Sequence, residues 1–227
     1  MTAKIDQHGH YLPFYGYSII SMCELTPKLE ELYHVLKASP IAKYYEPLHY
    51  STYHMTVYNI WHEKEKFYPY QYKLNDGKQP NKELDNMTEL MKPALFKMDE
   101  KINEFSKFDS IHLNGLKILT RPHRSSLIIT VDITSPEQHS NLQHLRYWCK
   151  ENFDKSDSDH IFHITLGYVF KEIAEDIEPE WKKLEDWIKS NIPSIVLSKP
   201  IPMLFTSMET FIPYLKVYQE HSRMEPK

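Results

Sequence analysis

The sequence predicts an α/β (α+β) fold in which one strand–helix–strand unit occurs twice. Three observations predict it. Short runs rich in β-branched and aromatic residues alternate with amphipathic helical stretches. A tripeptide of histidine, an apolar residue and threonine occurs in two of the strand-like runs, beginning at His54 and at His163. The offset of 109 positions that separates these histidines also aligns the elements that precede them.

The first unit begins with the short strand-like run YSIISM, residues 17–22. Thr26 and Pro27 predict the start of a helix, because threonine is a good N-cap and proline suits the first turn. Apolar side chains recur at helical spacing along this helix: Leu29, Leu32, Tyr33 and Leu36. The run STYHMTVYNI, residues 51–60, is the second predicted strand of the unit.

The second unit repeats this order. The runs at 111–120 and 126–133 predict two strands joined by a polar turn. Ser135 and Pro136 begin a helix. The predicted buried side of this helix carries Leu142, Leu145, Trp148 and Cys149. The run HIFHITLGYVF, residues 160–170, is the strand with the second motif.

The remaining segments flank these units. Residues 62–107 are predicted to be an insertion, polar and turn-rich at first and helical over 81–107. Trp181, Leu184 and Ile188 recur at helical spacing within 178–190. Prolines in the tail predict one or two further edge strands interrupted by proline. We expect residues 1–227 to form a single domain.

The constant offset implies that the two units share one sheet around an approximate two-fold axis, with the motif strands side by side. Residues i and i+2 of a strand point to the same face. His54 and Thr56 are therefore predicted to converge with His163 and Thr165 on one concave site. The intervening apolar residues face the helices. A single motif of this kind favours ordinary strand histidines, whereas a symmetry-related pair favours a functional site, because two facing imidazoles without a ligand are costly.

Composition limits the classes of partner. The net charge is −4, which disfavours an extended surface for gripping nucleic acid. Two cysteines do not make a disulfide framework, and they fit a reducing compartment. The first residues lack the apolar core of a signal peptide, and no apolar run approaches the length of a membrane span. We therefore predict a cytoplasmic protein without a membrane partner.

Paired His-x-Thr motifs on two strands of a duplicated α/β fold resemble the 2H phosphoesterase superfamily, also called LigT-like or cyclic phosphodiesterase-like. The segments KIDQHGHYLPFYGYSII, YHMTVYN and SMETFIP are similar to one branch known mainly as a domain of unknown function. The resemblance covers about residues 4–213. It implies a bilobal fold with mostly antiparallel sheets around a central cleft, no metal, and chemistry on cyclic or 2′,5′-linked phosphodiesters of nucleotides or RNA ends.

The residues suit such a reaction. Phosphodiester cleavage needs a base on the incoming oxygen and an acid on the leaving oxygen, and histidine can serve as either near neutral pH. We predict His54 and His163 as this pair, without assigning which is the base. Thr56 and Thr165 are predicted to donate to the phosphate oxygens. Three tyrosines on or beside the motif strands are candidate substrate-binding residues: Tyr17, Tyr58 and Tyr168.

Two alternatives remain open at this stage. One is a metal-dependent hydrolase, since the chain has 13 histidines. The tightest clusters are His8 with His10 and His160 with His163, and Asp157 and Asp159 lie close to His160. A non-catalytic module that binds a nucleotide or an RNA end is the other. Both motifs are complete, which favours the enzyme, and we predict no cofactor.

Regular alternation would place Tyr168 on the face opposite His163 unless Gly167 marks a bulge.

Overall fold

A computed structural model describes residues 4–62, 98–105, 109–119, 125–153 and 161–213. The strands are β1 (Gly16–Met22), β2 (Tyr45–Pro47), β3 (His54–His62), β4 (Ser110–Ile118), β5 (Ser126–Ile133), β6 (His163–Val169), β7 (Ile195–Ser198), β8 (Ile201–Ser207) and β9 (Thr210–Pro213). The helices are α1 (Pro27–Ala38), α2 (residues 98–105), α3 (Pro136–Phe153) and α4 (Glu178–Asn191). Two short 3₁₀ turns, Pro40–Lys43 and Tyr50–Thr52, flank β2.

Within the described residues the strands form one curled antiparallel sheet. Its order is β7-β4-β5-β6-β3-β1-β8-β9, and β2 pairs with β6 off this path. The edge strand β7 returns to the end of β1, where Cys23 and Leu197 form an isolated bridge. Beside that bridge, the backbone N–H of Glu24 donates to the carbonyl of Val196 over 2.9 Å. The sheet therefore closes into a half-barrel around its concave face.

The duplication predicted from the sequence is present. At the common offset β1 corresponds to β5, α1 to α3 and β3 to β6. The motif strands β3 and β6 are neighbours and pair at Met55 and Ile164, which are themselves related by that offset. The approximate two-fold axis therefore passes through this pair. The helix caps also match, since Thr26 accepts from the N–H of Leu29 and Ser135 from that of Gln138, both over 3.3 Å.

The two faces of the motif strands are buried to different degrees. Met55 and Ile164 are fully buried beneath the helices, whereas His54 and His163 are partly exposed. The helical stripes meet the sheet as their spacing predicts, with these side chains buried: Leu29, Leu32, Leu36, Leu142, Leu145, Cys149, Trp181, Leu184 and Ile188. The helices thus cover one face of the sheet, and the face with the histidines is left for a site.

Both motif strands contain an irregularity just after the threonine. The pairing of β3 with β1 skips Val57, and the pairing of β6 with β5 skips Leu166, so the two irregularities are related by the common offset. An extra residue on one strand reverses the alternation of side chains beyond it. This brings Asn59 and Tyr168, which are also related by the common offset, to the concave face together with the motif residues.

Gly167 permits close approach of β2 to β6. A Cβ atom at this position would lie 2.5 Å from the carbonyl oxygen of Glu46 and 3.1 Å from the Cα of Pro47. Both contacts are with backbone, which cannot rotate away. Glycine is therefore required here by the strand that pairs on this side, next to the irregularity at Leu166.

The C-terminal strands differ from the prediction. The tail was expected to add one or two edge strands, but β8 lies inside the sheet between β1 and β9, and β7 forms the opposite edge. Pro202 is tolerated in β8 because the pairing with β9 begins only at Met203. Most of the predicted insertion, residues 63–97 and 106–107, lies outside the described residues, and 98–105 are helical as predicted. No helix in the described ranges is long and apolar enough to span a bilayer.

Candidate active site

The concave face of the sheet holds a cavity of about 300 Å³ around the two motif strands. All four motif side chains predicted from the sequence line it: His54, Thr56, His163 and Thr165. They come from adjacent antiparallel strands, so each His-x-Thr pair meets its symmetry-related counterpart across the cavity. The arrangement offers two imidazoles and two hydroxyls to one small ligand.

The two imidazoles are held in the same way. The Nδ1 atom of His54 lies 2.7 Å from the carbonyl oxygen of Thr52, and that of His163 lies 2.9 Å from the carbonyl oxygen of Ile161. A carbonyl can only accept, so Nδ1 of each ring carries the proton. Nε2 is then the atom of each ring that gains or loses a proton. The bond also fixes the ring orientation, as expected for a pair with a chemical role.

The electrostatic environment of His54 favours its neutral form. Removal from water lowers the pKa of His54 to about 4, against a smaller opposing effect of its hydrogen bond to Thr52. The positive charges of His163 and Lys4 lower this pKa further. The ring of Phe211 lies 4.5 Å from that of His54, centroid to centroid, and covers one side of it. His54 is therefore neutral at neutral pH and can accept a proton at Nε2.

The three predicted tyrosines fall in different places. Tyr58 and Tyr168 line the cavity. Tyr17 is only 1% exposed, belongs to the hydrophobic core and is not among the cavity-lining residues. Its position follows from the alternation of side chains along β1. Ser18 and Ile20 reach the cavity, so Tyr17 points to the opposite face of the sheet. A substrate contact for Tyr17 has no support from this geometry.

Comparison with known proteins found a relative in sequence and solved structures that are similar to this chain. No family model matches the chain. Protein 127L of invertebrate iridescent virus 6, which is uncharacterised, is 29% identical over 177 residues, covering 75% of this chain and 73% of its own. The crystal structure of ATU0111 from Agrobacterium tumefaciens, a protein of unknown function, has a TM-score of 0.68 at 18% identity, covering 94% and 90%. That of Escherichia coli LigT in apo form has 0.44 at 10% identity, covering 88% and 94%.

Two His-x-Thr motifs on paired strands of a duplicated α/β sheet are the arrangement that the sequence resemblance implied. The chain shares its fold with ATU0111, a protein of unknown function. The curled sheet encloses a central cleft, and the cavity beside the motif strands lies in it.

One side of the cavity is an aromatic wall. We use this term for Phe14, His62, Phe205 and Phe211. Phe14 stacks on Phe205 with centroids 5.8 Å apart, and its ring lies 5.3 Å from that of His62. These residues come from the N-terminal segment and from β3, β8 and β9, so the wall lies on the β1 side of the cavity and makes the cavity asymmetric. Only the YLPF and SMETFIP segments hinted at it in the sequence.

Polar side chains complete the same side. Ser18 Oγ donates to Asn59 Oδ1 over 3.1 Å, and both residues line the cavity. Ser18 is buried on β1, where an isolated serine between apolar residues carries no motif signal. Sequence analysis did not identify these residues.

Arg146 reaches the cavity from the helix side and was also missed. Its Nε donates to the carbonyl oxygen of Val57 over 2.7 Å, and its guanidinium lies 3.7 Å from the ring centroid of Phe162. The side chain is buried. It thereby anchors the irregular residue of β3 to α3. The sequence did contain a sign of this role. Arg146 lies four residues after Leu142 and three before Cys149, which places its charge on the buried face of the helix.

The residues predicted as alternative metal ligands are only partly described. His10 Nδ1 lies 3.0 Å from Asp6 Oδ2, and the two carboxylate oxygens of Asp6 hold the turn that contains His8. Within the described ranges no group of three or more histidine, cysteine, aspartate or glutamate side chains is arranged to hold a metal ion. The run 157–160, including His160, lies outside them.

The low pKa of His54 predicts a pH-dependent stability. Between about pH 6.5, the usual histidine value, and pH 4 the unfolded chain binds a proton at this position that the folded protein does not. The free energy of unfolding therefore decreases as the pH falls through this range, by up to ~1.4 kcal/mol per pH unit from this group. Urea unfolding at pH 7 and pH 5 should show a smaller pH effect for His54→Asn than for the wild type. Equal pH effects in the two proteins would contradict the burial of a neutral imidazole.

Proposed function

We propose that the protein is a phosphodiesterase that cleaves a cyclic or 2′,5′-linked phosphodiester of a nucleotide or RNA end. His54 and His163 are the general base and acid, and Thr56 and Thr165 bind the phosphate. The observation that carries the proposal is the matched placement of the two imidazoles in one cavity, each fixed through Nδ1 so that Nε2 exchanges the proton. Two histidines with a purely structural role in their strands would not need to share this orientation.

The electrostatics support a division of roles. His54 is neutral at neutral pH, so it takes the proton of the attacking water or hydroxyl. The attacking oxygen forms its bond to phosphorus while the bond to the leaving oxygen breaks. His163, on the neighbouring strand, gives its Nε2 proton to the leaving oxygen. The two groups then stand on opposite sides of the phosphorus, as in-line displacement demands, and solvent exchanges the protons afterwards.

The lining of the cavity supports an anionic substrate. Among the described residues the cavity is lined by Lys4, Arg146 and four motif side chains that can donate, and by no aspartate or glutamate. Negative charge accumulates on the non-bridging oxygens in the transition state, where hydroxyl donors act most strongly in a site shielded from water. Thr56 and Thr165 line the cavity together with His54 and His163, which supports this role for their hydroxyls.

The aromatic wall supports a nucleotide as the group attached to the phosphate. Aromatic side chains stack on bases, and single-stranded ends present unstacked bases. A volume of about 300 Å³ lies at the lower end of the range for small-molecule sites (~300–1,000 Å³). We infer a mononucleotide or a terminal nucleotide as the substrate, with Tyr58 and Tyr168 contacting it, and no extended surface for nucleic acid.

The proposed location is the cytoplasm. Both cysteines, Cys23 and Cys149, are free and buried, and burial raises the pKa of each thiol. Such thiols are protected from oxidation and need no disulfide partner. This fits a reducing compartment, where cyclic and 2′,5′-linked phosphodiesters of RNA ends would be met.

The test is turnover of a panel containing 2′,3′-cyclic nucleotides and 2′,5′- and 3′,5′-linked dinucleotides, each with and without EDTA. We expect one of the first two classes to be hydrolysed, at a rate that EDTA does not change. Loss of turnover in EDTA that zinc or manganese restores would contradict the two-histidine mechanism. Tight binding of a panel member without turnover under any condition would favour the non-catalytic binding module instead.

A further inference from the structure

The N-terminal segment places one lysine in the cavity. Residues 4–11 form a hairpin in which Ile5 pairs with Tyr11, and the N–H of Leu12 donates to the carbonyl oxygen of Lys4 over 3.0 Å. Asp6 holds the turn by accepting from the N–H of His8 and of His10 over 2.8 and 2.9 Å. The position of Lys4 is therefore set by a hydrogen-bonded element rather than by a loose chain.

Two more contacts attach this hairpin to the sheet. The N–H of Phe14 donates to the carbonyl oxygen of Thr206 over 2.9 Å. The hydroxyl of Tyr11 donates to the carbonyl oxygen of Glu46 over 2.7 Å. The N-terminal segment is thus attached to β8 and, through Tyr11, to β2, which pairs with the motif strand β6. These contacts hold Lys4 at the cavity, which it lines.

The surroundings of Lys4 are aromatic. Its Nζ lies 5.0 Å from the ring centroid of Tyr168 and 5.1 Å from that of Phe14, and it donates to the Tyr168 hydroxyl over 3.4 Å. The side chain is half-buried, and among the described residues no carboxylate forms an ion pair with it. Ring faces hold a cation in place but neutralise little of its charge. A half-buried cation without an anion is costly, so this site favours an anionic ligand.

The charge of Lys4 acts on the same space as the motif side chains. Its positive charge is one of the causes that lower the pKa of His54, alongside that of His163. His62, Tyr58 and Arg146 are the other titratable or charged groups that line the cavity. Arg146 is engaged with the backbone of β3, whereas the ammonium of Lys4 has only aromatic neighbours.

We propose that Lys4 is a phosphate-binding residue whose ammonium contacts a non-bridging oxygen of the scissile phosphodiester. This inference rests on the proposed function, because it assumes that the cavity takes a phosphate. It makes the N-terminal hairpin part of the active site and adds a full positive charge to the donors on β3 and β6. A charged donor stabilises an oxyanion more than a hydroxyl does, so Lys4 contributes both to binding and to the transition state.

Two ligands that differ only in the phosphate group separate this role from a structural one: adenosine 3′-monophosphate and adenosine. Their binding is measured by calorimetry for the wild type, Lys4→Met and Lys4→Arg. We expect Lys4→Met to weaken binding of the monophosphate by about tenfold to a hundredfold, the range for one charged hydrogen bond. Adenosine should bind all three proteins equally, and Lys4→Arg should restore most of the affinity for the monophosphate. Lys28→Met, which removes an exposed lysine paired with Glu31 outside the cavity, is the matched control and should bind as the wild type does.

The outcomes distinguish the two levels of the proposal. If the wild type turns over phosphodiesters and Lys4→Met binds the monophosphate as tightly as the wild type, the role of Lys4 is overturned and the proposed function stands. Equal weakening of both ligands in Lys4→Met, with no recovery in Lys4→Arg, assigns the lysine to the hairpin structure and also overturns the inference. Absence of both turnover and monophosphate binding in the wild type removes the proposed function and Lys4 with it.

Discussion

Replacement of His54 or His163 by alanine is expected to reduce turnover by ~10²–10⁴-fold in each case. Either change removes one of the two groups that move protons. Stability should change little, because each ring makes one backbone hydrogen bond, of which the net contribution is ~0.5–1.5 kcal/mol. The measurement is kcat on the best substrate of the panel together with the melting temperature.

Exposed His34 on α1 provides the control for this pair of variants. His34→Ala should keep the wild-type rate, since the residue does not line the cavity. Wild-type turnover in His54→Ala or in His163→Ala would show that the corresponding imidazole is not needed for the reaction.

Replacement of Thr56 or Thr165 by valine is expected to lower turnover by ~10–10³-fold, while serine at the same position keeps most of it. Valine retains the branched shape and the strand preference but lacks the hydroxyl. Loss of one donor to a developing oxyanion costs ~10²–10³-fold in a well-studied protease. The lower bound allows for two threonines sharing one phosphate. Turnover and melting temperature are measured for both substitutions at both sites.

A role limited to strand formation gives the opposite pattern. Valine variants would then be as active as the wild type and equally or more stable. Thr134→Val, at an exposed position after β5, is the matched control and should leave the rate unchanged. Full activity in folded Thr56→Val and Thr165→Val proteins would remove the phosphate-binding role of the hydroxyls.

The duplication and the four motif residues were predictable from the sequence because they depend on local patterns. Strand periodicity alone places His54 and Thr56 on one face, and the helix caps at Thr26 and Ser135 are local as well. The constant offset was the one feature that predicted a relation between distant parts of the chain, namely the approximate two-fold axis. It implied that the two motif strands are neighbours, and they pair at Met55 and Ile164.

The asymmetric part of the cavity was not predictable in this way. Lys4, Phe14 and Phe211 reach it from the N-terminal hairpin and the last strand, segments that have no counterpart at the common offset. Their positions depend on tertiary pairing across the sheet, which one sequence does not reveal. The same holds for the low pKa of His54, which arises mainly from its removal from water in the folded protein.

The tyrosines illustrate the limit of strand periodicity. Regular alternation would turn Tyr168 away from the cavity, and the irregularity at Leu166 turns it back. A bulge at Gly167 was predicted to turn Tyr168 towards the cavity, and the irregularity lies at the neighbouring Leu166. The glycine itself is needed because β2 approaches closely. Alternation along β1 places Tyr17 in the core. Its prediction as a substrate-binding residue took no account of which face of β1 it occupies.

In the proposed mechanism His54 and His163 act as one acid–base pair on a phosphodiester. Turnover of the double variant His54→Ala/His163→Ala, compared with both single variants in EDTA, shows whether they act jointly. Residues that act as a unit lose most of their effect with the first substitution. We predict a double variant that is within about tenfold of the slower single variant. Losses that multiply across the two sites would show that the histidines contribute independently, and the account of a joint proton transfer would be wrong.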